Sequence, residues 1–351
     1  MKTLLALLAT LLIALAALPL REWSELDLQR APVNRWLWLR SAIVKQPRES
    51  IDYAFTGSSK MLSSVHPERI AEGLPGATAY NFAHFAWAHD ADYFVARPLL
   101  ERHDVGTLVI ELPLDPPDEP HSDTVHLVSH RELLGELGAA IQELFRPDLL
   151  GKGEALKQRI SRLSRYTATA LFSLPRHVLQ RVYAWASGSP WEYQKSLGRW
   201  EQHRGFAIPL EYREPAAGFR ERQAKRGARL PKRPPRDAAK QLPGPRSEFY
   251  LRRLKQIAEE HGTRLVFLHI PSWQKQLPTR AQHRFYSRFG EVVIPDLSQL
   301  QVPDYYVDPL HLYREGARVF TDDVARLLEN GTQGTTYNDL YRDGSAREAR
   351  E

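Results

Sequence analysis

The stretch VGTLVIELPL at 105–114 constrains the fold more than any other part of this 351-residue chain. An apolar run of this length reads as a strand covered on both faces, and such strands belong to parallel sheets flanked by helices. The neighbouring segments alternate to match. IDYAFTG at 51–57 and ATAYNFA at 77–83 read as strands, and MLSSVHPERIAEGL between them reads as a short helix ending near Gly73. DADYFVARPLLERHD reads as the helix before the 105–114 strand. Further on, EFYLRRLKQIAEEHG is a helix capped by Ser247 and ended by Gly262, with Tyr250, Leu254 and Ile257 on one face. TRLVFLHIP at 263–271 and EVVIPDL at 291–297 are strands on either side of the helix AQHRFYSRFG. EGARVFTDDVARLLENG then sets Phe320, Val324 and Leu327 along one stripe. The alternation predicts an α/β fold: three layers, α/β/α, around a parallel sheet of about five strands with right-handed crossovers.

Hydrophobic residues make up 42% of the chain, enough for a sizeable core, and the absence of cysteine excludes disulfides and thiolate metal sites. The formal charge of +6 favours acidic partners without choosing among them. After Lys2, TLLALLATLLIALAALPL carries no charge until Arg21. That run is just long enough to span a bilayer and also fits a signal-peptide core; its continuation through Leu20 favours an uncleaved single-pass anchor over secretion after cleavage. Either reading exports the rest, so the main domain is expected outside the cytoplasm, in the periplasm. The chain divides into an anchor or signal segment (1–22), a linker (23–50), the first part of the α/β domain (51–145), an insertion (146–246), the second part (247–330) and a polar tail (331–351).

Ligands of doubly wound sheets bind beyond the carboxyl ends of the strands. Gly57, Ser58 and Ser59 fall at such an end, where a helix begins. A serine there is either a helix cap or a nucleophile beside backbone N–H groups that stabilise an oxyanion. In VDPLHLYREGARVF at 307–320, Asp308 and His311 lie three residues apart just before the last helix, so one turn lets the carboxylate hold an imidazole nitrogen. A serine nucleophile needs such a base, oriented by a third group.

GSS after the first strand, YNFA after the second and DPLHLYREGA before the C-terminal helix resemble the SGNH (GDSL-like) hydrolase superfamily. The likeness is to its membrane-anchored branch with GSS for GDS, which is similar to the D-alanyl transfer proteins of teichoic acid synthesis and to alginate-type O-acetylation proteins. It spans roughly residues 50–145 and 247–330. The resemblance implies Ser59 as nucleophile, His311 as general base and Asp308 as the residue orienting it. It implies acyl transfer: an esterase if water accepts the acyl group, a transferase if a sugar hydroxyl does. The candidate oxyanion or substrate-binding residues are Ser58, which stands where commoner members have Asp, Asn81, and Ala86, which lies near the place of the family's glycine donor. The third motif departs further, since IELPLDPP has no asparagine. Losing one oxyanion donor costs on the order of 100-fold in rate.

The expected substrate is an O-acylated cell-envelope polysaccharide or acylated sugar, and the expected partner a membrane-bound O-acyltransferase. No cofactor, metal or nucleic acid is implied. The alternative is a non-catalytic assembly or binding protein that keeps the fold. His121, Asp123, His126 and His130 do not share a helical face and read as a solvated loop ahead of a helix opened by a Ser129/Glu132 capping box. His84 and His89 flank an aromatic stretch near the expected cleft, as substrate contacts or as packing. In the insertion, KGEALKQRISRLSRYTATALFSLP reads as a basic amphipathic helix for a membrane surface or a packed subdomain, and Trp185, Trp191 and Trp200 as core or a sugar-binding surface. The Arg- and Pro-rich stretch that follows reads as an extended arm suited to anionic lipid or acidic polysaccharide, or as a solvated linker.

Overall fold

Strands β1 (Ser50–Thr56), β2 (Ala79–Asn81), β3 (Asp104–Leu112), β4 (Arg264–His269) and β5 (Glu291–Val293) lie side by side in the order β2-β1-β3-β4-β5. All four pairings are parallel, with Phe55 beside Asn81 and Val109, and Glu111 beside Leu268. The computed structural model describes residues 39, 43, 47–84, 88–114, 242–273, 277–300 and 302–329. β3 sits at the centre, and from Thr107 to Leu112 every residue is buried, as a strand covered on both faces requires.

Helices α1 (Ser59–Ser64), α2 (Pro67–Gly73), α3 (His89–Arg102), α4 (Pro245–Glu260), α5 (Arg280–Tyr286) and α6 (Arg314–Glu329) cover both faces. On one face Phe55, Val109, Val266, Leu268 and Val293 pack with Met61 of α1, Ile70 of α2, and Phe320 and Val324 of α6. Complete burial of each such side chain contributes roughly 1.5–3 kcal/mol. On the other face the Tyr93 and Phe94 rings of α3 meet Tyr250 of α4, and Tyr286 of α5 meets Phe267 of β4. From β1 to β2 the chain steps one way across the sheet over the first face. From β2 onward it steps the other way over the second. The two reversals together keep every crossover of one hand. The direction changes between β1 and β3, so the residues leaving β1 emerge at the switch point where such folds bind ligands.

Several local expectations are corrected. MLSSVHPERIAEGL is two helices, not one, because Pro67 disfavours helical geometry at the residue before it; Val65 and His66 are extended. Thr321 of α6 stitches the break, accepting from His66 N at 3.2 Å and donating to the Ser64 carbonyl at 2.9 Å. α4 starts at Pro245, with Gly244 as its N-cap, so Ser247 is a buried residue of the first turn and not the cap; proline suits the first helical position because its missing N–H would be unpaired there. β2 and β5 are three residues each, shorter than the apolar runs that predicted them. Part of the expected linker is core: Leu39 and Ile43, helical and four positions apart, are buried, and the Ile43 carbonyl meets His103 Nε2 at 3.1 Å. The N-terminal apolar segment, the 121–130 polar cluster, the capping box at Ser129, the insertion through 241 and the tail after 330 lie outside the described residues. Among the described residues no helix is long and apolar enough to cross a membrane.

Candidate active site

The turn after β1 needs a glycine for a steric reason. A Cβ on Gly57 would stand 2.6 Å from the Glu111 Cβ of β3, so only glycine lets the two strand ends approach this closely. The two readings of GSS then divide between adjacent serines. Ser58 is the N-cap of α1, its Oγ accepting from Lys60 N at 3.1 Å. Ser59, the first residue of α1, directs its Oγ to His311 Nε2 at 2.8 Å, across 252 positions of sequence.

The loop carrying His311 is tied down on several sides. Tyr313 N donates to the Tyr305 carbonyl at 2.6 Å, Val307 N to the His311 carbonyl at 3.0 Å, and Trp273 N to the Pro309 carbonyl at 2.9 Å. Gly316 allows α6 to press against this loop, since a Cβ there would lie 2.6 Å from the Tyr305 carbonyl oxygen. Asp308 holds the imidazole: His311 Nδ1 is 2.8 Å from Oδ2 and 2.9 Å from Oδ1. The His311 and Leu310 amides also donate to Asp308 Oδ1, at 3.0 and 2.8 Å. Partial burial raises the Asp308 carboxyl, but the His311 ring and these two amides outweigh it and hold the group below its ordinary value. With Nδ1–H directed at the carboxylate, Nε2 presents its lone pair to the Ser59 hydroxyl. The hydroxyl, imidazole and carboxylate thus form one chain of hydrogen-bond contacts, Ser59 to His311 to Asp308, the order a serine triad requires.

The candidate oxyanion residues fare differently. Ser58 N–H donates to Glu111 Oε2 at 2.8 Å, and its hydroxyl to the same oxygen at 2.6 Å, so both Ser58 donors are engaged by the central strand. The Asn81 amide donates to the Met61 and Val65 carbonyls at 3.1 and 2.9 Å, closing the end of α1, and its Oδ1 accepts from Ala83 N. Asn81 therefore holds the C-terminal end of α1, and its amide is engaged there and not as an oxyanion donor. Ala86 lies outside the described residues. Ser59 N–H, the first in its helix, has no intrahelical carbonyl to meet and is the described group best placed for the role.

His84 is buried, and its N–H donates to the Gly57 carbonyl at 2.9 Å, fixing the turn through backbone. His89 is also buried: Nδ1 is 3.3 Å from Asp92 Oδ2 and Nε2 is 3.0 Å from the Tyr286 hydroxyl, while Asp92 Oδ1 accepts from Thr56 Oγ. Of the two readings of His89, packing is the one the structure takes.

Glu111 and Lys60 are the residues that sequence reasoning missed. Glu111 is 1% exposed, and its Oε1 pairs with the Lys60 ammonium at 2.7 Å. Burial raises the carboxyl, but the Lys60 charge and hydrogen bond, with both Ser58 donors, outweigh it, and the group stays below its ordinary value. The signal was present in VIELPL: a carboxylate in the middle of an apolar central strand must find a partner. His269, at the carboxyl end of β4, is buried as well. Neither of its ring nitrogens makes a hydrogen bond of good geometry, although the Leu112 backbone alongside slightly favours the charged ring. Burial, with the nearby Lys60 charge, pushes this imidazole down to about 3, so it is neutral. No protein-family model matches the chain, and no curated protein does.

Proposed function

We propose that this chain is a membrane-anchored, extracytoplasmic serine acyltransferase or esterase acting on an O-acyl group of a cell-envelope polysaccharide. The observation that carries the reading is the contact of Ser59 Oγ with His311 Nε2 at 2.8 Å, with Asp308 on the far side of the ring. Ser59 Oγ attacks the ester carbonyl as its proton passes to His311 Nε2. The tetrahedral intermediate collapses, the ester C–O bond breaks, and the imidazolium returns the proton to the leaving alkoxide. An incoming hydroxyl, of water or of a sugar, then loses its proton to His311 and takes the acyl group from Ser59, whose Oγ regains the proton from the imidazolium as the acyl bond breaks. Asp308 keeps the ring in the tautomer that both half-reactions need. The charge-free segment before Arg21 supports anchoring and export. A membrane-bound O-acyltransferase is the partner that would supply the acyl group.

A second reading, a non-catalytic assembly or binding protein of a polysaccharide-modifying complex, draws support from the engaged donors of Ser58 and Asn81. A fluorophosphonate probe separates the two. Labelling of the wild type that disappears in Ser59→Ala supports the enzyme; a folded wild type that never labels overturns it. Transfer is distinguished from hydrolysis by following a model acetyl ester with and without an oligosaccharide acceptor. Release that ignores the acceptor and leaves no acylated sugar rules against transfer.

A further inference from the structure

We infer that Glu111 is the positioning residue of the nucleophile turn: its carboxylate, held by Lys60, takes both donors of Ser58 and so fixes the direction in which Ser59 projects toward His311. This rests on Ser59 being the nucleophile. Glu111 leaves β3 on the face that carries α1, where its strand neighbour is Leu268, and it reaches the turn because Gly57 has no side chain. Each of its bonds restrains a different atom: Oε2 accepts Ser58 N–H and Oγ–H, and Oε1 meets the Lys60 Nζ. Ser58 Oγ in turn accepts from Lys60 N, so residues 58 and 60 are both held and Ser59 lies between them. The opposite end of α1 is fastened by Asn81.

Stability alone is a poor account of this cluster. Replacing a buried ion pair by apolar residues of similar size is often neutral or stabilising, whereas removing one partner leaves an uncompensated charge. What the carboxylate adds is direction, since an apolar side chain could not tell one rotation of the turn from another. Other ionisable groups close to the pair are Asp92 of α3, Tyr286 of α5 and His269 of β4.

The test uses the full chain in detergent and measures the fluorophosphonate labelling rate of Ser59 against pH, with a thermal melt for each variant. Glu111→Gln keeps the shape but loses the charge, and is expected to slow labelling on the order of 10- to 100-fold, the scale of a misplaced reacting group. Lys60→Met leaves the buried carboxylate without its counter-ion. Glu111 then takes up a proton as the pH falls, and the rate drops on the acid side at a higher pH than in the wild type. Adding Glu111→Gln to Lys60→Met removes that additional acid limb. A merely structural role would lower the melting temperature without moving the profile. Labelling of Glu111→Gln at the wild-type rate, or a Lys60→Met profile superimposable on the wild type, overturns the proposal; the Lys60→Met profile decides by itself if Glu111→Gln does not fold. A wild type that forms no Ser59-dependent adduct overturns the nucleophile reading and this proposal with it. Labelled wild type with unaffected variants overturns this proposal alone.

Discussion

Among the described residues, two histidine–aspartate pairs in contact have the same spacing. Asp308 and His311 lie in a loop beyond the sheet; His89 and Asp92 lie in the first turn of α3. Both aspartates approach Nδ1 of their histidine, at 2.8 and 3.3 Å, and both leave Nε2 for a hydroxyl, Ser59 in one case and Tyr286 in the other. Exposure separates them. The side chains of Asp308 and His311 are 40% and 18% exposed, those of His89 and Asp92 not at all. Burial raises the Asp92 carboxyl above its ordinary value despite the opposing bond from His89, whereas Asp308 ends below its own because amide and ring donors prevail over partial burial. A histidine–aspartate pair is therefore not a site by itself. Here one pair meets the aliphatic hydroxyl of a partly exposed serine, the other a sealed phenol.

This contrast can be broken by experiment, most sharply by removing each imidazole. His311→Ala is expected to slow phosphonate labelling on the order of 10⁴-fold or more while leaving the melting temperature nearly unchanged. His89→Ala should do the reverse, losing about 2–4 kcal/mol of stability in chemical denaturation while the folded protein labels within a few-fold of wild type. Loss of labelling in folded His89→Ala would erase the distinction. The aspartates come next. Asp308→Asn should slow labelling on the order of 10³- to 10⁴-fold through the wrong imidazole tautomer, and Asp92→Asn should cost about 1–2 kcal/mol in stability with reactivity retained.

His269 extends the comparison to an imidazole with no carboxylate at all. Its folded form binds a proton less readily than the unfolded chain does, so its neutral state is without penalty above about 6.5, and stability is lost as the pH falls from there toward about 3. The slope is about 1.4 kcal/mol per pH unit. His269→Leu should therefore move the acid-unfolding midpoint to lower pH, and an unchanged midpoint would show that this ring is not what the acid attacks. The smallest effect is expected from Tyr286→Phe, which leaves His89 Nε2 without the phenol at a cost of about 1 kcal/mol and no change in labelling.

How much of this was legible depends on the range of the interaction. The central strands could be read because a strand covered on both faces is apolar throughout, as β3 is from Leu108 onward apart from Glu111. The edge strands were overestimated because apolar residues in ATAYNFA and EVVIPDL continue past the last ladder bond. The break at Pro67 was readable in principle from proline's effect on the preceding residue, and was masked by apolar spacing that runs through it. Asn81 was misassigned for another reason: an amide at the carboxyl end of a strand can face the cleft or a helix end, and only the position of α1 chooses between them. The linker reading overlooked Leu39 and Ile43, whose four-residue spacing marks a helical face but names no surface for it to cover.

By itself, then, the sequence determined the α/β alternation, the pairing of Asp308 with His311 three residues away, and the placing of GSS where β1 gives way to a helix. These depend on neighbours in the chain, whose geometry local dihedrals and spacing control. Tertiary structure decided that Ser58 is the cap and Ser59 the residue facing His311, that Glu111 and Lys60 hold the turn between them, and that His89 is scaffold. Those outcomes depend on which strands become neighbours in the order β2-β1-β3-β4-β5. Contacts between residues 53 and 252 positions apart are created by that order, and no short stretch of sequence encodes it.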